Sequence, residues 1–324
     1  MLTQRFSTWP MRVKALVGVF GGLVAAFVFT RPAGAFASGT ASADTADLAL
    51  WQALLLGVVE GLTEYLPVSS TGHLLVTNKL IGLDDTEAMR QAADSYAIVI
   101  QVGAIIAVLG IYRQRFALMV SGLLGKSTEG LLLIRSLAIA TLPAVLIALV
   151  FDDWIKERLL RSWPVAGAWI VGGIIILIFV ANQHRLSQRI TSVAAIPPLS
   201  ALAIGFAQAL AMWPGTSRSF VTLLGAMLIG CALTTAVEFA FLLGFVVLSG
   251  ASLYELSKSG GDIVEQFGYL SPAVGVVAAG VAAFASVSWM ISYLQRRPLT
   301  VFGWYRIGIG ALTVVLLLTG TINN

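Results

Sequence analysis

The chain has 324 residues, of which 58% are hydrophobic and 11% charged, with a mean hydropathy of +0.89. That composition cannot cover a water-facing surface and places the protein in a membrane. One cysteine, Cys231, and two histidines, His73 and His184, exclude intrachain disulfides and any Cys/His metal cluster, and the net charge of +4 is scattered through short connections with no basic face for nucleic acid.

At the N-terminus, Arg5, Arg12 and Lys14 precede an apolar run from Ala15 to Phe29, and Ala35-Phe36-Ala37 offers a small-residue cleavage site. This is the layout of a secretory signal peptide over 1–37, with an uncleaved signal anchor as the alternative; either leaves residue 38 outside. A short polar linker, 38–47, leads into a membrane-embedded domain, 48–324. The stretches 95–112, 132–151, 164–181, 235–257, 269–294 and 300–321 are each long and apolar enough to cross about 30 Å of hydrocarbon, and read as six transmembrane helices. Two further apolar stretches, 48–80 and 198–230, are interrupted at Pro67 and Pro214, with polar residues just after each. Their halves are too short to cross alone, so each predicts a re-entrant helical hairpin whose irregular tip lies inside the protein. The expected fold is therefore all-α and polytopic. Lys and Arg are somewhat more frequent in the N-terminal arm, 113–131, 182–197 and 295–298, which places those segments inside, the C-terminus outside, and the two hairpins on opposite faces.

Opposed hairpins are what an inverted repeat produces. Gly57-x-x-Glu60 followed by Pro67-Val68-Ser69-Ser70-Thr71 lies over Gly205-x-x-Gln208 followed by Pro214-Gly215-Thr216-Ser217-Arg218, with one residue of slippage before the proline. Such a repeat would bring both polar tips toward one site.

Glu60 and Glu64 are four apart on one helix face among apolar neighbours. A carboxylate at mid-bilayer costs about 2.5–3.5 kcal/mol on insertion scales, so two on one face call for a partner, such as a divalent cation. Ser69, Ser70 and Thr71 follow the proline break, where hydroxyls cap the next helix and, with its free N–H groups, can hold an anion. His73, one turn after Ser70, is placed to share a ligand with it. In the second hairpin Thr216, Ser217 and Ser219 flank Arg218, whose planar guanidinium suits phosphate or carboxylate and could equally form a salt bridge to Glu60 or Glu64. Glu238, between Ala236-Val237 and Phe239-Ala240, is a further buried carboxylate candidate, and Gln101 a neutral counterpart. Together these residues are equipment for a diphosphate in the presence of a divalent cation, with Ser70, His73 or water as the attacking group.

Glu60-Gly-Leu-Thr-Glu64-Tyr-Leu-Pro-Val-Ser-Ser-Thr-Gly-His73, with Pro214-Gly-Thr-Ser-Arg218-Ser219 and Ala236-Val-Glu238-Phe-Ala-Phe-Leu-Leu, resembles the undecaprenyl-diphosphate phosphatase family, the bacitracin-resistance proteins, over roughly 48–321. The resemblance implies a bacterial plasma-membrane enzyme that removes the terminal phosphate of undecaprenyl diphosphate and so recycles the lipid carrier of cell-wall glycans. It implies metal-binding carboxylates at Glu60, Glu64 and Glu238, a Ser70–His73 pair, a phosphate-binding Arg218, a magnesium or calcium requirement, an outward-facing site and a homodimer. The sequence departs from the family pattern in an N-terminal extension of about 45 residues and in Phe220, where the family carries glycine after Ser-Arg-Ser. A polyprenyl-phosphate transporter or flippase is the competing class, because broken helices in inverted repeats also build transporters.

Overall fold

The computed structural model describes residues 48–267 and 269–324, so the signal-like segment 1–37 and the linker 38–47 lie outside the described residues. The regular structure among them is helical: α1 Leu50–Thr63, α2 Ser70–Leu80, α3 Glu87–Ile111, α4 Arg113–Leu123, α5 Thr128–Leu159, α6 Ser162–Asn182, α7 Pro198–Ala209, α8 Arg218–Ile229, α9 Leu233–Phe267, α10 Leu270–Leu294 and α11 Thr300–Leu318. Six of these, α3, α5, α6, α9, α10 and α11, are long and apolar enough to cross a membrane, in agreement with the six stretches read from the sequence. The two interrupted stretches are pairs of short helices, α1/α2 and α7/α8. Their 14, 11, 12 and 12 residues reach only about 21 Å at most, less than a hydrocarbon core.

The connection expected over 113–131 holds the additional helix α4, which packs on α5. Its apolar side includes Phe116, whose ring lies 4.4 Å from that of Phe245 on α9. The cue was faint because the helix is short and carries Arg113 and Arg115 at its start.

Helix packing follows the repeat. The first arm of each hairpin is gripped by a long helix of the other half: α1 by α10, and α7 by α5. The pairs α6·α11 and α3·α9 meet across the middle. Gly57 and Gly205 explain the first part of the sequence match. A Cβ on Gly57 would collide with the carbonyl of Gly275 on α10, and a Cβ on Gly205 with the carbonyl of Ala140 on α5. Both are places where two helix backbones touch, which in a membrane supplies the packing that solvent cannot drive.

Gly57→Val and Gly205→Val should each lower stability by roughly 1–3 kcal/mol or more, measured by thermal unfolding in detergent. Gly167→Ala, where an added Cβ meets nothing within 4 Å, should leave the unfolding temperature unchanged or raised.

Candidate active site

Each hairpin is broken at a serine held in a backbone conformation that side chains rarely adopt. Ser69 has φ 72° and ψ 102°, and Ser217 has φ 72° and ψ 111°; among the described residues no other non-glycine has positive φ. The helix resumes at the next residue, Ser70 or Arg218. The same sequence separation relates Gly57 to Gly205, Glu60 to Gln208, Ser69 to Ser217 and Ser70 to Arg218. The repeat is thus in constant register, and it is the proline alone that slips. A conformation of this kind costs of order 1–3 kcal/mol and persists only where its surroundings enforce it.

The enforcing contacts are hydrogen bonds to the carbonyls that the broken helices release. Leu66 O accepts from the Ser219 hydroxyl (2.9 Å), and Val68 O accepts from the Trp169 indole N–H (2.7 Å). Ser69 O accepts from His73 Nδ1 (2.7 Å). Arg306, fully buried on α11, donates to Pro67 O (3.2 Å), Gly215 O (2.9 Å), Thr216 O (2.9 Å), Ala168 O (2.9 Å) and Trp169 O (3.5 Å). One guanidinium therefore ties both tips to each other and to α6.

The tips so fixed bring charge and hydroxyl together. Glu64, at the end of α1, accepts from the Ser70 hydroxyl through Oε2 and from Arg218 Nη2 through Oε1 at 2.5 Å. Arg218 thus makes the salt bridge expected of it, and its guanidinium has more donors than Glu64 engages. Glu60 sits beside Glu64, Gln101 and Arg218, is 1% exposed, and its Oε1 has no hydrogen-bond partner. Glu64, Ser69, Ser70, Thr71, Ser217 and Arg218 line a cavity of about 360 Å³, within the usual size range of ligand sites. Its walls continue over Ala144, Ile155, Ala211, Met212, Val247 and Leu248, an apolar surface beside the polar floor.

Four further residues expected at the site, Glu238, His73, Thr216 and Ser219, lie outside the cavity lining. Glu238 does not join the carboxylate pair. It pairs with Arg115, which also reaches Glu129 at 3.2 Å, and it stands fourteen residues, about 21 Å of helix, from Ser252, whose hydroxyl reaches Gln101 in the cavity wall (3.3 Å). Among the described residues no three His, Cys, Asp or Glu side chains form a metal cluster. The His73 ring packs against α6 and α11. Its Nδ1 must carry hydrogen to bond the Ser69 carbonyl, so in the neutral ring Nε2 accepts from the Tyr305 hydroxyl at 2.7 Å. The ring stacks on Tyr305 and meets Trp169 edge-on, outside the cavity lining. Thr216 and Ser219, expected at the ligand, brace the tips through a backbone carbonyl and a hydroxyl.

Arg306 and Tyr305 were missed from sequence because the stretch 300–321 reads simply as a span. The available signal was an arginine in the middle of an apolar helix, which demands a buried partner. Cys231 is buried and His184 exposed.

The family model described as bacitracin resistance protein BacA matches residues 53–312. The chain belongs to this family. It is 43% identical over 275 residues to undecaprenyl-diphosphatase 1 of Burkholderia cenocepacia (strain HI2424), covering 84% of this chain and 97% of the relative. It is also 41% identical over 276 residues to undecaprenyl-diphosphatase 1 of Paraburkholderia xenovorans (strain LB400), covering 84% and 96%. The undecaprenyl-diphosphatase of Burkholderia mallei (strain SAVP1) is 42% identical over 274 residues, again 84% and 96%. Phe220, the departure from the family pattern, is accommodated away from the cavity. Its buried ring lies 5.2 Å from the Arg306 guanidinium carbon, a cation–π contact that supports the clamp.

Arg306→Ala should cost roughly 3 kcal/mol or more of stability, since several buried carbonyls lose their donor, and Arg306→Lys should recover only part, because an ammonium cannot span both tips. Thermal unfolding in detergent checks both. His73→Asn, whose amide can still donate to Ser69 O, should keep at least about ten times the activity of His73→Ala if the ring acts by holding the tip. Equal loss in both variants would overturn the tip-holding role.

Proposed function

We propose that the chain hydrolyses undecaprenyl diphosphate to undecaprenyl phosphate and inorganic phosphate. The observation that carries the reading is the Glu64 carboxylate shared between the Ser70 hydroxyl and Arg218, at the floor of a cavity with one apolar wall. Arg218 binds the terminal phosphate, helped by the hydroxyls of Ser69, Thr71 and Ser217 and by the N–H groups that open α2 and α8. The polyprenyl chain leaves along the apolar wall toward lipid.

Ser70 Oγ attacks the terminal phosphorus while Glu64 takes its proton. The new Oγ–P bond forms as the P–O bond to undecaprenyl phosphate breaks, and water then hydrolyses the phosphoserine to release inorganic phosphate. Arg218 stabilises the charge that spreads over the phosphoryl oxygens in both steps. Ser70 and Arg218 occupy equivalent places in the two halves, so one repeat supplies the nucleophile and the other the counter-charge.

Glu60 and Glu64 fit a divalent cation, magnesium or calcium: both are hard oxygen donors, Glu60 Oε1 is buried without a partner, and Gln101 and Ser70 offer neutral oxygens nearby. Such a cation would neutralise charge on the diphosphate. The same reading places the site on the outer face. Asp152 and Ile155 line the cavity at the end of α5 that the Lys and Arg count assigns outside, so the head group need not cross the bilayer. The bacterial plasma membrane and the homodimer implied by the resemblance belong to this reading. A transporter would need the arginine and helix termini, whereas a hydroxyl bonded to a carboxylate is the pairing that activates a nucleophile.

Purified protein in detergent should release phosphate from a polyprenyl diphosphate, and Ser70→Ala and Arg218→Ala should each lower kcat/KM by at least about a hundredfold. Excess chelator should abolish release, and Glu60→Gln should raise the metal concentration giving half activity. No release by the parent protein would overturn the assignment, and full activity in chelator would remove the metal from it.

A further inference from the structure

We propose that Gln208 is a binding residue for the diphosphate head group, its side-chain amide donating to a non-bridging phosphate oxygen. The proposal rests on the phosphatase reading of the cavity. Gln208 lies in the last turn of α7, before the second tip, and lines the cavity with Glu64, Ser70 and Arg218. It is 2% exposed, yet neither Nε2 nor Oε1 has a hydrogen-bond partner in the protein. A buried primary amide with none of its bonds made is rare in native proteins, and an apolar side chain of similar size would be more stable there. Its retention is explained if a ligand completes it.

The chemistry of the surroundings selects an anion. The first repeat contributes the Glu64 carboxylate and the Ser70 hydroxyl to the cavity, whereas the second contributes the Arg218 guanidinium and the unpaired Gln208 amide N–H groups. A head group held between the halves would meet the side-chain N–H groups of Arg218 and Gln208 opposite the nucleophile. The register of the repeat sharpens the argument, since the position equivalent to Gln208 in the first repeat is Glu60. A carboxylate suits a cation site and repels phosphate. The neutral amide in the second copy removes that repulsion and supplies a donor.

The test uses the full chain in detergent, with KM and kcat for a polyprenyl diphosphate, inhibition by inorganic phosphate, and thermal unfolding. Gln208→Met, which keeps the shape and loses the donors, should raise KM and weaken phosphate inhibition in parallel by about tenfold, with kcat within about threefold and the unfolding temperature unchanged or raised. Gln208→Leu provides the same comparison should the methionine variant fold poorly. Gln208→Glu should bind phosphate more weakly still. Parental KM and phosphate inhibition in the methionine or leucine variant would overturn the proposal, as would a fall in kcat at unchanged KM. If the parent releases no phosphate, the phosphatase reading fails. Protection of parent and variant against unfolding by inorganic phosphate then still decides Gln208: protection lost in the variant supports it, and equal protection overturns it.

Discussion

Breaking a helix inside a membrane protein releases carbonyl and N–H groups where no solvent is at hand to receive them, and each unsatisfied group costs several kcal/mol in hydrocarbon. The two tips exist because that demand is met internally. Arg306 receives carbonyls from Pro67, Gly215 and Thr216, Trp169 receives Val68, and His73 receives Ser69. The donors come from α6, α11 and α2, so the tips hold their shape only when the long helices are in place. Arg306 is unpaired with any carboxylate in the bonds it makes, and its charge is spread over peptide dipoles; this is the setting in which a guanidinium, with five donors in one plane, outperforms any other side chain.

Once the tips are fixed, the repeat does the rest of the positioning. Gly57 and Gly205 let each hairpin lie directly on a helix of the opposite half, so the two strained serines face one cavity instead of two. The copies have the same backbone and different chemistry. Ser70 stands where Arg218 stands in the other copy, and Glu60 where Gln208 stands. A site that must attack a phosphate and also neutralise it needs a nucleophile and a counter-charge, and divergence of two equivalent positions provides both. Glu64 joins them, bonded at one oxygen to the hydroxyl and at the other to the guanidinium.

Much of this was legible in the chain. The six spans follow from length and hydropathy, the two broken stretches from a proline followed by hydroxyls, and the membership of Glu64, Ser70 and Arg218 in one site from the cost of isolated charges at membrane depth. What was not legible has a common cause, which is that periodicity tells which face of a helix a residue occupies but not how far along the helix its partners lie. Glu238 has the composition of a site carboxylate and sits a long way along α9 from the cavity, held by Arg115. His73 is adjacent to Ser70 in sequence, yet its ring leaves α2 on the side of α6 and α11, toward Trp169 and Tyr305.

The sequence by itself determined the solvent in which this protein folds, the number of its spans, the places where two helices must break, and the chemical character of the residues at those breaks, because each of these depends on local composition and spacing. Only the tertiary structure decided which of the polar residues face the cavity and which brace the backbone. Serine, histidine, arginine and glutamine can do either, and the choice depends on which carbonyls and carboxylates other helices bring within hydrogen-bond reach. Arg218 and Arg306 make the point together: both are arginines among apolar helices, and one turns to the carboxylate of the site while the other is spent on five backbone carbonyls behind it.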